Sequence, residues 1–172
     1  MKYRLTEETF QFGSHILHRI ECVTAFAHVK VGDKGGWIES EANLSQYGDA
    51  WVCGNAKVCD NAKVCDNAWV CDNAWVYGDA EVYGNAWVYG NAWVCGDAKV
   101  CGDADYIVFK NWWSSGRYYT WTRSNNKWRV GCFYGTGEEL IAKAYKDSEV
   151  SGREYQRVVD YVKSILQDCK PD

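Results

Sequence analysis

From Gly48 to Cys101 the chain repeats itself every six residues, and that period leaves few folds open to it. Gly48-Asp49-Ala50-Trp51-Val52-Cys53 is followed by eight further hexads of the form Gly/Asp, Asn/Asp, Ala, any residue, Val, Cys/Tyr, and Gly102-Asp103-Ala104 opens a tenth that breaks off. Side chains alternate in direction along a strand, so the Ala and Val of each hexad point to one side and the residue between them to the other. The Gly/Asp and Asn/Asp pair supplies a corner, because these residues tolerate left-handed backbone values that bulky ones avoid. Each hexad is therefore one short strand and one turn. Three of them close a triangular coil of about 18 residues, with Ala and Val inside and coils stacked at ~4.8 Å.

Residues eighteen apart then lie above one another, and the outer surface can be written as columns. One face carries Trp51, Trp69, Trp87 and Asp105, the second Lys57, Trp75 and Trp93, the third Lys63, Glu81 and Lys99. Five tryptophans are thus expected to point outward on two adjacent faces. A contiguous aromatic patch of that kind marks an interface, either with a second copy of the chain or with another macromolecule. The columns at the sixth hexad position read Cys53/Cys71/Tyr89, Cys59/Tyr77/Cys95 and Cys65/Tyr83/Cys101. Only Cys53 and Cys71 are vertical neighbours, so the repeat cysteines cannot converge tetrahedrally on one zinc ion. The corner columns Asp49/Asn67/Asn85/Asp103 and Asn61/Asp79/Asp97 suit side-chain ladders along a solenoid better than calcium sites. No metal and no cofactor are expected.

Charge is uneven. Residues 1–47 carry 6 acids against 5 bases, 48–104 carry 8 against 3, and 105–172 carry 9 against 11. An acidic middle disfavours direct nucleic-acid binding by the repeat. No apolar run reaches membrane length, and Met1-Lys2-Tyr3-Arg4-Leu5-Thr6-Glu7-Glu8 has acids where a signal peptide needs an apolar stretch. With nine cysteines, an odd number of which six belong to the repeat, a soluble protein of a reducing cytoplasm is expected.

The hexads resemble those of the hexapeptide-repeat superfamily. The resemblance implies a left-handed parallel β-helix, and it brings to mind two catalytic groups of that architecture. Gamma-class carbonic anhydrases hold zinc with three histidines on the coils, and the acyltransferases generally rely on a catalytic histidine. Here His15, His18 and His28 all precede the repeat, and the repeat has no long loop insertion. Fold likeness alone therefore does not carry catalysis, and no enzyme is expected.

Residues 1–47 are expected to form an N-terminal cap and an irregular first coil around the repeat domain of 48–104. Tyr3-Arg4-Leu5, Phe10-Gln11-Phe12 and Ile16-Leu17-His18-Arg19-Ile20 read as a hairpin with its turn at Gly13-Ser14, capping the first coil. Ala42-x-Leu44 precedes Ala50-x-Val52 by eight residues, which predicts a two-residue corner insertion. Residues 105–172 read as a small α+β module. It comprises three antiparallel strands over 106–109, 117–122 and 128–133, with turns at Ser115-Gly116 and Asn125-Asn126. Two helices follow at about 137–146 and 152–168, opened by capping boxes Thr136/Glu139 and Ser151/Glu154. Arg117, Arg123 and Arg129 interleave with Trp121 and other aromatics, a mixture suited to macromolecular contact.

Gly35-Gly36-Trp37-Ile38-Glu39-Ser40-Glu41, the repeats, and Gly131-Cys132-Phe133-Tyr134-Gly135-Thr136-Gly137-Glu138-Glu139-Leu140 together resemble a group of phage- and prophage-encoded proteins of unassigned activity. That resemblance implies expression in a bacterial cytoplasm and an accessory role against host defence. The expectation is a non-enzymatic macromolecule-binding protein, an inhibitor that occludes a host nuclease. Trp51, Trp69, Trp87, Trp75, Trp93, Arg117, Trp121, Arg123 and Arg129 are its candidate partner-binding residues. Self-association as a dimer or trimer and a host protein or nucleoprotein target are the partners considered. A structural homo-oligomeric scaffold and a divergent acyltransferase using Cys132 or His28 are the alternatives.

Overall fold

The computed structural model describes residues 1–168, in which strands dominate and two helices close the chain. β1 (Tyr3–Phe12) and β2 (His15–Cys22) form the expected hairpin, and β3 (Lys34–Ile38) follows. Nine two-residue strands then recur every six residues. They are β4 (Trp51–Val52), β5 (Lys57–Val58), β6 (Lys63–Val64), β7 (Trp69–Val70), β8 (Trp75–Val76), β9 (Glu81–Val82), β10 (Trp87–Val88), β11 (Trp93–Val94) and β12 (Lys99–Val100). Pairing is parallel between residues eighteen apart: Trp69 with Trp51 and Trp87, Trp75 with Lys57 and Trp93, Glu81 with Lys63 and Lys99. The result is a three-faced β-solenoid.

Every Ala and Val of the hexads is at most 1% exposed, so the solenoid interior is a stack of small and β-branched side chains. The first residue of all nine hexads has positive φ, from +67° at Gly48 to +65° at Gly96. Asp60, Asp66 and Asp72 share that conformation at φ 57°, 58° and 59°. Each of these aspartates accepts a hydrogen bond from the backbone N–H eighteen residues on, at Gly78, Gly84 and Gly90, at 3.0 Å. Asn61 donates to Asp79 at 3.0 Å and Asn67 to Asn85 at 3.2 Å, two rungs of the expected corner ladders.

Within the stack each coil donates its N–H groups to carbonyls of the next, as in Trp51 N to Ala68 O and Trp69 N to Ala86 O. The solenoid therefore ends in bare carbonyls on one side and bare N–H groups on the other, and each end is met by the opposite chemistry. At the first coil, Lys2 Nζ donates to the carbonyls of Gly48 and Ala50, Arg19 to that of Gly54, and Asn43 Nδ2 to those of Asp60 and Ala62. At the last coil, Trp93 N donates to Thr120 Oγ1, Lys99 N to Ser124 Oγ, and Cys101 N to Asp105 Oδ2. Asp105 does not continue the tryptophan column. It sits in a 3-10 turn, Asp103–Asp105, and turns its carboxylate back onto the N–H groups of Cys101 and Gly102.

The N-terminal hairpin extends one solenoid face sideways, giving the sheet order β1-β2-β3-β5-β8-β11, while Tyr3, Ile20 and Cys22 plug the interior. The two-residue insertion is present, since Leu44 bridges Val64 and Trp37 pairs with Lys57 across twenty residues instead of eighteen. Cys53 and Cys71 are joined by a disulfide, where reduced cysteines were expected. The parallel register holds their Cα atoms 4.6 Å apart, within bonding reach.

The C-terminal module has four antiparallel strands, one more than expected: β13 (Tyr106–Lys110), β14 (Tyr118–Thr122), β15 (Lys127–Val130) and β16 (Phe133–Gly135). The segment 128–133 splits because Gly131 takes φ +58° and turns the chain. Helix α1 (Gly137–Asp147) starts with the Thr136/Glu139 capping box. Helix α2 (Glu149–Asp168) starts two residues before Ser151, with Ser148 Oγ accepting from Ser151 N at 3.1 Å, so the second expected cap is one turn late. Trp121 faces Trp128 across the β14–β15 pair toward the helices, whereas Thr120 and Arg129 face the solenoid.

Candidate functional site

The nine expected partner-binding residues divide by what covers them. Trp51 is 3% exposed, with Phe26 edge-on at 5.4 Å and Tyr3 at 6.4 Å. The segment between β2 and β3 folds over the column's first member and takes it into the core. Trp121 is 1% exposed and donates Nε1–H to Asn126 Oδ1 at 2.8 Å. Neither is a surface anchor. Trp75 is half-buried beneath Phe12, which meets it edge-on at 4.6 Å, and Lys57 Nζ lies 5.2 Å from its ring. Trp93 is half-buried beside Arg129, whose guanidinium stands 5.6 Å from both the Trp93 and Tyr77 rings. Arg129 thus docks the C-terminal sheet onto the solenoid.

Arg117 and Arg123 are exposed and flank β14 at its opposite ends. Strand alternation separates Trp121, which faces the helices, from Arg129, which faces the last coil.

What stays open is narrower than the five tryptophans expected. Trp69 and Trp87 stack at 5.8 Å with their planes 21° apart, Trp87 is 53% exposed, and Tyr89 two residues on is 55% exposed. From Tyr89 a cleft of about 430 Å³ runs under Tyr106, Val108 and Tyr118. A second cleft of about 380 Å³ shares Asn91 and Tyr118 with it and ends at Arg117 and Arg129. Together they make a trough along the seam between solenoid and C-terminal sheet. Lys110 Nζ, 5.7 Å from the Tyr118 ring, adds a third cation beside Arg117 and Arg129. Tyr89 and Tyr118 were legible as aromatics but not as a pair, since only the docked sheet brings them together.

The structure also assembles a cluster that no repeat position announces. His15 Nδ1 lies 3.0 Å from Glu39 Oε1, and His15 Nε2 lies 3.6 Å from Asp60 Oδ1, beside Cys59. The Glu39 hydrogen bond holds the imidazole above its usual pKa. Burial works to raise Glu39, yet the hydrogen bonds from His15 and from Asp60 N–H overcome it and hold the carboxyl low. Burial pushes the Cys59 thiol up to about 12. The signal that could have found this group is the hairpin turn, which fixes where His15 lands on the first solenoid face. Cys132 and His28, by contrast, are exposed in the C-terminal module and the N-terminal segment respectively.

Among the described residues, no helix is long and apolar enough to cross a membrane. Residues 80–96 match the family model described as YdcK Beta solenoid repeat, which agrees with the stacked strands of that segment. A search of curated proteins finds no match to the chain.

Proposed function

We propose that the chain is a non-enzymatic binding protein of phage or prophage origin that grips a host macromolecule through the Trp69/Trp87 ladder, Tyr89 and the adjoining trough. The observation that carries this reading is Trp87 beside Tyr89, two large aromatics each more than half exposed and continuous with a concave seam. Large exposed aromatics next to a groove are the usual anchors of an interface, and Arg117 at the far end supplies a cation of the kind enriched at such anchors. The acidic solenoid disfavours a nucleic-acid duplex and favours a protein or nucleoprotein surface. A hexapeptide-repeat β-helix of left-handed twist and a cytoplasmic setting belong to the same reading. The resemblance to phage proteins supports the finer statement that the target is a host defence nuclease, blocked by steric occlusion.

A second reading comes from the same feature: the stacked tryptophans are a flat apolar strip suited to pairing with a second copy. One experiment separates the two. Molecular mass by light scattering is measured for the wild type and for a Trp87→Ala, Tyr89→Ala double variant, and both are assayed for protection of an infecting phage in a host with an active nuclease defence. A monomer that protects, with protection lost in the variant, supports the first reading. An oligomer that dissociates in the variant and never protects supports the second.

A further inference from the structure

The hairpin carries His15 onto a solenoid corner where three side chains of other elements already wait. Antiparallel pairing of β2 with β3 sets His18 opposite Ile38, which brings His15 to the side chain of Glu39 and the corner at Asp60. Each participant is held from behind. Glu39 takes His15 Nδ1 on one oxygen and the Asp60 N–H, at 2.7 Å, on the other. Asp60 uses one oxygen to accept from Gly78 N–H at 3.0 Å, leaving Oδ1 toward His15 Nε2. Cys59 is buried one residue away, and one ligand atom from each of the four residues lies within 4.8 Å of all the others.

A carboxylate fixing one imidazole nitrogen while the other points at further donors is the arrangement that orients histidine ligands at metal sites. Beside it lies a cavity of about 220 Å³ lined by Phe12, Trp75, Tyr77, Trp93 and Arg129 as well as by His15, Cys59 and Asp60. The buried Tyr77 hydroxyl, whose neighbour is the Cys95 thiol, lines that cavity as well.

We propose that His15 Nε2, Asp60 Oδ1 and Cys59 Sγ bind one divalent transition-metal ion of the zinc class, with Glu39 as a positioning residue and a fourth coordination position open to the aromatic cavity. The nitrogen, oxygen and sulfur donor set selects that class over magnesium or calcium, which take oxygen donors. Bonds of about 2.0–2.3 Å at tetrahedral angles put donor atoms roughly 3.3–3.8 Å apart. The His15–Asp60 separation of 3.6 Å falls within that range, and the Cys59 sulfur lies within 4.8 Å of a ligand atom on each. Binding releases the Cys59 thiol proton to solvent, since the thiolate is the ligand. The ion ties the hairpin tip to the solenoid corner, and one position remains for water or a small donor molecule in the cavity.

The test titrates the full chain, stripped with a chelator and dialysed, with Co²⁺ as a spectroscopic probe and then with Zn²⁺ as competitor. The expected result is one Co²⁺ per chain, a thiolate-to-cobalt charge-transfer band, displacement by Zn²⁺, and a rise in melting temperature on loading. Cys59→Ala abolishes the band, and His15→Ala weakens binding at least about a hundredfold. Glu39→Ala weakens it about 10–100-fold while keeping the band, as loss of an orienting partner does. Cys132→Ser and Trp87→Ala change nothing, which separates this site from the exposed thiol and from the aromatic ladder. A natively folded wild type that takes up no stoichiometric Co²⁺, a band that survives Cys59→Ala, or an affinity left unchanged by His15→Ala overturns the assignment.

Discussion

The Asp66 carboxylate accepts a hydrogen bond from the Gly84 backbone N–H at 3.0 Å, one coil further along the solenoid. Asp66 itself stands at φ +58°, where an L side chain is disfavoured, so the bond offsets the cost of the conformation that produces it. Asp66→Ala keeps the strain and loses the bond, and is expected to lower stability by about 1–2 kcal/mol. Asp66→Gly loses the bond but relieves the strain, and should come within about 1 kcal/mol of wild type. Urea midpoints at matched slopes distinguish them. Equal losses would mean that the left-handed conformation at Asp66 costs nothing.

Trp51 and Trp87 occupy one column and should behave oppositely. Trp51→Ala opens a cavity beneath Phe26 and is expected to cost about 3–5 kcal/mol. Trp87→Ala removes an exposed ring and should shift stability by less than about 1 kcal/mol while removing partner binding or self-association. Thermal melts beside light scattering check both.

The disulfide between Cys53 and Cys71 spans eighteen residues. Cys53→Ser, or reduction of the wild type, should cost about 3 kcal/mol if the restraint acts through the unfolded chain. Denaturation with and without reductant measures it, and intact mass of protein taken directly from cells shows whether the bond forms there.

Tyr106 closes the far end of the core, its hydroxyl donating to the Trp87 carbonyl at 2.8 Å, and burial pushes that hydroxyl up to about 12. The unfolded chain gives up the same proton near pH 10. The folded state therefore binds more protons between the two values, and the contribution is complete below pH 10 and is lost as pH rises toward 12. Tyr106→Phe should cost about 1 kcal/mol at neutral pH. It should also flatten the fall in stability between pH 10 and 12, which denaturation at stepped pH would show.

Much of the solenoid was readable because the spacing of eighteen forces vertical neighbours: the columns through Trp69/Trp87, Trp75/Trp93 and Lys63/Glu81/Lys99 stand as read. The same spacing says which way a side chain leaves its strand and nothing of what lies over it. Trp51 points outward from its strand as expected and is buried all the same, because an irregular segment with no period of its own supplies Phe26. Trp121 and Arg129 could not be told apart as core and seam without knowing which sheet face the helices take. The turn puts His15 at the hairpin tip, but its meeting with Glu39 and Asp60 also rests on the pairing of β2 with β3, a long-range register that the turn does not state.

The opposite chemistries at the two ends of the stack bear on how long such a molecule can be. A solenoid with free ends behaves like a growing polymer, able to add a stranger's strand at either terminus. Here Lys2, Arg19 and Asn43 stop one terminus with protons, and Thr120, Ser124 and Asp105 stop the other with lone pairs. These stoppers contact backbone atoms that any coil presents, so the number of coils between them is free to vary by whole turns while the stack still ends as a discrete unit.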